Sequence, residues 1–392
     1  MSGLRFAIFL VVALAIWAAV HGYVFWRLAS VPLVAAHVPP RVVFWAAVAL
    51  WASYVAARTL NAWRLEAVGE PLELFAANWV GVVFLLFVAL LAVDFVTLGG
   101  ALLPGLAPAL RGGAAFAALV LSVVALVQGL RPPVVREYEV RLPGLPRARD
   151  GLVVVALSDM HLGTLIHERW MGDLIRRVDG LRPDVVVIVG DLVDSEVGRL
   201  ERLLPVLRTL RAPLGVWAVT GNHEFYAGPE RSVRLLQDAG YTVLQDRWAE
   251  ATPGLVLAGV DDLTARRQFG RSDQPIEQAL RDRPAGGVIL LSHSPLQAEA
   301  AAAAGAGLML SGHTHDGQIW PFNWAVRTSY RLLGGRYEVN GMTAIVCRGT
   351  GTWGPRMRLW RPSEFLRITL RAEGKLPTAG RAGRCAPDTA AP

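Results

Sequence analysis

Lysine is all but missing from this chain. Of 39 basic residues, Lys375 is the single lysine, so the net charge of +7 is carried by arginine. Cysteine is almost as scarce: Cys347 and Cys385 are the only two, too few for a disulfide framework. Cys347 falls in a strand-like apolar run and reads as core, and Cys385 in a polar tail. No glycine-rich phosphate loop and no G-x-S-x-G elbow occurs, so kinase and serine-hydrolase readings find no support. No nucleic-acid-binding motif accompanies the basic charge. Charge itself is thin, at 18% of residues against 53% hydrophobic ones, and the shortage is concentrated in the first 130 positions.

There the runs FAIFLVVALAIWAAV, VVFWAAVALWASYVAA, WVGVVFLLFVALLAV and AAFAALVLSVVALV follow one another. They predict four membrane helices near 5–27, 41–60, 74–98 and 114–130, each within or near the length that crosses ~30 Å of hydrocarbon. The first run is read as an anchor, because no A-x-A-like cleavage site ends it and three more runs follow. A soluble bundle would show polar helix faces, which these runs lack. Asp94, near the end of the third run, is expected as an interfacial carboxylate.

An even number of crossings puts both ends of this region on one side. Arg5, Arg58, Arg64, Arg131, Arg136, Arg141, Arg147 and Arg149 fall on the side shared with the rest of the chain, and Arg27, Arg41 and Arg111 on the other. That asymmetry predicts a cytoplasmic C-terminal part. Residues 131–150 read as a basic juxtamembrane linker beside anionic headgroups.

Beyond it the texture changes. Short runs rich in Val, Leu and Ile (LVVVALSD, VVVIVGD, VWAVTGN, VLAGVDD, VILLSH, LMLSGH) alternate with amphipathic stretches such as ERWMGDLIRRVDGL. Continuous apolar strands imply burial on both faces, hence helices over the sheets and an α/β domain over 151–372. RYEVNGMTAIVCRGTG and FLRITL supply later strands, the former turning at Asn340-Gly341. Residues 373–392 read as a disordered tail.

The polar residues at the strand ends form a pattern. Successive strands end in Asp159-Met160-His161, in Gly190-Asp191 with Asp194 following, in Gly221-Asn222-His223-Glu224, in Ser292-His293 and in Gly312-His313-Thr314-His315. The crevice beyond the carboxyl ends of such strands is where sites form. Asp-x-His in extended backbone would put both side chains on one side. Burying so many carboxylates and imidazoles at one sheet edge is costly unless they are paired or metal-bound, and the mixed donor set suits Mn²⁺, Fe or Zn²⁺.

The order D-x-H, GDxxD, GNHE, H, GHTH resembles the calcineurin-like metallophosphoesterase superfamily over roughly 150–370, in its membrane-anchored bacterial branch; RGTGTWGPRMRLWRPSEFLRITL is similar to that branch as well. The resemblance implies a four-layer αββα sandwich preceded by the transmembrane region, with two divalent cations at its edge. They would be Mn²⁺ first, with Fe, Zn²⁺ or Ni²⁺ as alternatives. It implies that Asp159, His161, Asp191 and His315 hold one cation, and that Asp191, Asn222, His293 and His313 hold the other. His223 would protonate the leaving oxygen, and Asp194 and Glu224 would orient histidines. The implied activity is hydrolysis of phosphodiester, phosphomonoester or pyrophosphate bonds at the inner cell membrane, including lipid-linked substrates such as UDP-2,3-diacylglucosamine. Two rivals stand beside it: a broad phosphodiesterase or phosphatase for soluble substrates, and a membrane sensor with a hydrolase effector. Trp320, Phe322, Trp324 and Trp353 are candidates for an apolar rim. Arg327, Arg331, Arg336 and Arg348 are candidates for phosphate contact. His167 is read as a helix-end residue, and Asp261 and Asp262 as caps.

Overall fold

The computed structural model describes residues 3–163, 166, 168–194, 201–270 and 274–373. His167, Cys385 and the tail from 374 onward lie outside them.

Five helices come first: α1 (Gly3–Ala29), α2 (Pro32–His37), α3 (Pro40–Ala62), α4 (Glu66–Thr97) and α5 (Ala107–Leu130). Among the described residues, α1, α3, α4 and α5 contain the four spans long and apolar enough to cross a membrane. Helix α4 starts at Glu66 rather than near 74. Its first two turns carry Glu66, Glu70 and Glu73 at helical spacing, so a search for uncharged runs misses them. Glu73 is buried, where it accepts from Arg58 (3.0 Å) and from Asn61. Asp94, three residues from the end of α4, is buried within the bundle. It pairs with Arg27 (2.5 Å) and Arg111 (2.9 Å) and accepts from the Tyr23 hydroxyl (2.7 Å), so one charge ties α1, α4 and α5 together. A charge inside an apolar bundle persists only when paired in this way.

The rest of the chain builds two six-stranded sheets. The first contains β1 (Val134–Arg141), β2 (Val153–Leu157), β3 (Val185–Val189), β4 (Val216–Val219), β5 (Thr242–Val243) and β12 (Glu364–Arg371), in the order β1-β12-β2-β3-β4-β5. The second contains β6 (Arg247–Thr252), β7 (Leu255–Gly259), β8 (Gly287–Leu291), β9 (Leu308–Ser311), β10 (Gly335–Val339) and β11 (Met342–Val346), in the order β10-β11-β9-β8-β7-β6. Strands β2 to β5 run parallel, as do β7, β8, β9 and β11. Val154, Val187, Leu257, Ile289 and Leu310 meet between the sheets. Helix α6 (Glu168–Gly180) and helix Pro229–Asp238 cover the outer face of the first sheet, and helices Leu263–Gln268, Pro275–Ala279 and Ala298–Ala303 that of the second. The result is the four-layer αββα sandwich. The stretch expected as a basic linker contains β1, which pairs in parallel with β12 along its whole length. Its alternating VVREYEVR sequence is that of an edge strand with one polar face.

The sandwich is docked on the helices. The backbone N–H groups of Arg356, Arg358 and Trp360 donate to Asn78 Oδ1 (2.9 Å), the Ala125 carbonyl (2.8 Å) and Gln128 Oε1 (2.9 Å). Ile319, Met357 and Leu359 pack into the same apolar cluster as Val83, Leu86 and Ala125.

Candidate metal centre

Each residue at the centre follows a parallel strand: Asp159 after β2, Asp191 after β3, Asn222 after β4, His293 after β8, and His313 and His315 after β9. Both sheets thus contribute their carboxyl ends to one edge. The backbone there is not extended. Asp159, His161, Asp191, His313 and His315 have φ of 53°, 46°, 52°, 70° and 49°. The two Asp/His-x-His pairs therefore converge through left-handed turns rather than by strand alternation. Such conformations cost ~1–3 kcal/mol each for residues with a Cβ, and cluster where a site requires them. Gly312 is needed for close approach: a Cβ there would collide with Ser158 Oγ and Asp159 Oδ2.

Among the described residues, three sets of donor atoms result, the atoms of each within 4.8 Å of one another: Asp159, His161 and His315; Asp191, His293 and His313; and His161, Asp194 and His223. Within the first, Nε2 of His161 faces Nε2 of His315 at 3.1 Å. Within the second, Nε2 of His293 lies 3.3 Å from His313 Nδ1 and 3.1 Å from Asp191 Oδ2. Asp191 Oδ2 also lies 3.8 Å from His161 Nε2, between these two sets. Asn222 Oδ1 is buried and has no hydrogen-bond partner. Facing imidazole nitrogens and an orphaned amide oxygen are what divalent cations satisfy, so the donor chemistry fits two of them.

A surrounding set of contacts fixes the rings. His293 Nδ1 meets the Val189 carbonyl (2.8 Å), leaving Nε2 to the site. His313 Nε2 meets the Tyr330 hydroxyl (2.7 Å). That hydroxyl continues through Thr264 (3.3 Å) and Ser294 (2.7 Å) to Asp262 (2.5 Å), whose other oxygen caps Ala265 N–H. His315 Nδ1 accepts from the fully buried Arg358 (3.1 Å). His223 Nδ1 donates to the Asp194 carbonyl (2.6 Å), and the Asp194 carboxylate lies 3.5 Å from the same nitrogen and 3.6 Å from His161. Among the described residues Glu224 bonds to no histidine. It accepts from the backbone N–H groups of Asp191 (2.9 Å), Val193 (2.9 Å) and Gly221 (2.7 Å), and so binds two site loops together. Asp261 accepts from Thr220 (2.8 Å) at the end of β4. The candidate phosphate arginines are engaged elsewhere: Arg331 with Glu299, Arg336 with Glu338, and Arg348 with Asp316 and Glu364. Arg327, the last residue of helix Phe322–Arg327, is exposed. None of the four lines the cavity. Tyr330 is an isolated residue outside the motif blocks, and Arg358 lies within RGTGTWGPRMRLWRPSEFLRITL, where nothing in the sequence singles it out.

Burial and charge set the protonation. Burial works against protonated His293 and His161, but the carboxylates of Asp191, Asp194 and Asp159 outweigh it; His161 is raised and His293 raised well above 6.5. Burial and the Arg358 guanidinium hold His315 well below 6.5. Burial and the neighbouring Asp191 push Glu224 to about 7. A raised folded value stabilises the protonated form, so these contributions are complete below the unfolded values, 6.5 for histidine and 4.5 for glutamate, and are lost as pH rises through the folded ones. The thermal midpoint of chelator-treated protein should therefore decrease as pH rises above 6.5, while apparent Mn²⁺ affinity rises, because the proposed ligands must shed those protons. A scanning-fluorimetry pH series with and without Mn²⁺ checks both slopes, and a flat metal-free profile would refute the assignment of charge.

Known proteins resemble the chain in the same way. A family profile described as calcineurin-like phosphoesterase matches residues 152–317. An uncharacterized metallophosphoesterase of Aquifex aeolicus (strain VF5) is 34% identical over 244 residues, which are 61% of this chain and 92% of that protein. The chain belongs to the calcineurin-like metallophosphoesterase family. A transmembrane protein with metallophosphoesterase domain of Bos taurus is 38% identical over 268 residues, 64% of this chain and 60% of that one. The chain thus spans about 60% of the length of such curated relatives. Among solved structures, a 5'-nucleotidase precursor from Thermus thermophilus covers 51% of the chain and 49% of its own length at 16% identity and a TM-score of 0.36. In this metallophosphoesterase the site opens into a cavity of about 410 Å³ whose walls include His161, His223, His313 and His315.

Proposed function

We propose that this metallophosphoesterase is a membrane-anchored, dinuclear-metal hydrolase of phosphodiester, phosphomonoester or pyrophosphate bonds, including lipid-linked ones. The observation that carries the reading is the convergence of two Asp/His/His sets around Asp191. Asp159, His161, Asp191 and His315 would hold one cation; Asp191, Asn222, His293 and His313 would hold the other, with Mn²⁺ the first choice. Two such cations supply activation of water and neutralisation of phosphoryl charge.

The chain's own groups do the rest. His223 keeps its Nδ1 on the Asp194 carbonyl and leaves Nε2 to deliver a proton to the departing oxygen. Its backbone N–H donates to Asp191 Oδ1 (2.9 Å), so the proton donor is registered to the shared carboxylate. The arginine asymmetry across the spans supports a site on the cytoplasmic face of the inner membrane, and a C-terminal reporter active only outside the cytoplasm would reverse that orientation.

The test is cleavage of bis-p-nitrophenyl phosphate by the full chain loaded with Mn²⁺. His223→Ala should lower kcat by ~10²–10⁴ while bound metal stays at two per chain. A His223 variant with undiminished kcat, or wild-type protein that binds Mn²⁺ and cleaves no phosphoester, would count against the reading.

A further inference from the structure

The cavity that holds the metal-site histidines is not walled by the sandwich alone. Val80, Gly81 and Phe84 of α4 line it, opposite Ile319, Phe322 and Val326. Phe84 and Phe322 meet edge to face at 5.7 Å. Gly81 brings α4 so close that a Cβ would lie 2.6 Å from Met357 Sδ. Helix α4 is itself one of the four apolar spans. Its 32 residues measure ~48 Å at ~1.5 Å each, against a hydrocarbon core of ~30 Å. The charged turns at Glu66–Glu73 therefore project beyond the hydrocarbon. Val80, Gly81 and Phe84 lie six to ten residues, ~9–15 Å, into the uncharged stretch that begins at Leu74.

One cavity thus joins a polar end, made of imidazoles and carboxylates, to an apolar end walled by a membrane span. Phe322 and Trp353, 46% and 54% exposed, stand at its edge. Apolar surface left open against a membrane span is covered at least cost by hydrocarbon. A soluble phosphate ester would fill the polar end and leave the α4 wall bare.

We propose that α4 forms the acyl-chain subsite of the active site: the substrate is a membrane lipid whose phosphoryl group lies at the histidine cluster and whose hydrocarbon chain runs between Val80 and Phe84 on one side and Phe322 and Val326 on the other. The anchor is then half of the substrate site, and the lipid enters sideways from the bilayer. This rests on the hydrolytic reading above.

The full chain in phosphatidylcholine nanodiscs, loaded with Mn²⁺, is given methyl and dodecyl p-nitrophenyl phosphate. In either case water adds at phosphorus, p-nitrophenolate leaves, the alkyl phosphate remains and a proton goes to solvent. The dodecyl ester should have at least ~tenfold higher kcat/KM, since each buried methylene favours binding. Partition into the bilayer also favours the longer ester, so the deciding quantity is the dodecyl-to-methyl ratio in variants. Val326→Asp, which puts a carboxylate in the groove, and Val80→Trp, which fills it, should each lower that ratio about tenfold. A dodecyl phosphonate with a diazirine at its chain end, which needs no turnover, should label peptides containing Val80–Phe84. Equal kcat/KM for the two esters, an unchanged ratio in both variants, or labelling confined to other helices would overturn the subsite. Labelling of α4 with no cleavage of either ester would retain the subsite and refute the hydrolytic reading.

Discussion

Asp191→Asn should lower kcat/KM by at least ~10³-fold, about 4 kcal/mol of transition-state stabilisation, with bound metal falling from two toward one per chain. The size follows from position. Asp191 is 2% exposed and its carboxylate reaches three partners: His293 Nε2 at 3.1 Å, His161 Nε2 at 3.8 Å and the His223 N–H at 2.9 Å. It belongs to the set with His293 and His313 and also faces His161 of the other set. Burial opposes its ionisation, but His293, His223 and His161 outweigh burial and hold its carboxyl well below 3.8, so it is ionised at every working pH. Asparagine keeps the volume, tolerates the left-handed φ of 52° and can still accept from His223. What it removes is the charge. Asp191→Ala would remove the acceptor as well and add backbone strain, so it should lose at least as much activity with a lower melting temperature. An Asn variant that kept two metals and a tenth of the activity would show that no shared carboxylate is required.

The placement of the proposed ligands was legible because each follows an apolar parallel strand, and the sheet then delivers it to one edge. VVVIV is buried throughout and leads through Gly190 to Asp191; LMLS leads through Gly312 to His313 and His315. The means of convergence was not legible. Left-handed backbone at five of these residues leaves no periodic trace, and strand alternation was the wrong picture for Asp159 and His161. Strand β1 was hidden because VVREYEVR is an edge strand with charges on one face, and its partner β12 comes some 230 positions later. The helical start of α4 was hidden by Glu66, Glu70 and Glu73, which in a bundle are buried or paired rather than exposed. Glu224 looked like a histidine partner because it follows His223, yet its carboxylate is taken up by three backbone N–H groups. In each case the missing information is a long-range partner, which a local pattern cannot supply.

Arg358 is the clearest such partner, and its replacement should have the largest effect on stability. The side chain is fully buried and, among the described residues, meets no carboxylate within hydrogen-bond range. It donates instead to His315 Nδ1 (3.1 Å) and to the carbonyls of Arg348 (2.8 Å) and Gly351 (2.6 Å). Burial lowers its value to about 10, which still leaves it charged at neutral pH. Its own N–H donates to the Ala125 carbonyl of α5 (2.8 Å), so one residue ties the His315 ring, the turn at 348–351 and the helix bundle together. Arg358→Met fills the space but orphans the acceptors, and breaking a buried charged network of this kind costs ~3–5 kcal/mol. That corresponds to a fall of roughly 10 °C in melting temperature for a domain of this size. Arg358→Lys should fare little better, since one ammonium cannot span acceptors set out for a planar fork. The ring of His315 would lose its orientation in both variants, so bound Mn²⁺ should drop with the melting temperature. If Arg358→Met melted with wild type and retained two metals, the guanidinium would be a passenger in the core, and His315 would owe its position to the β9 turn alone.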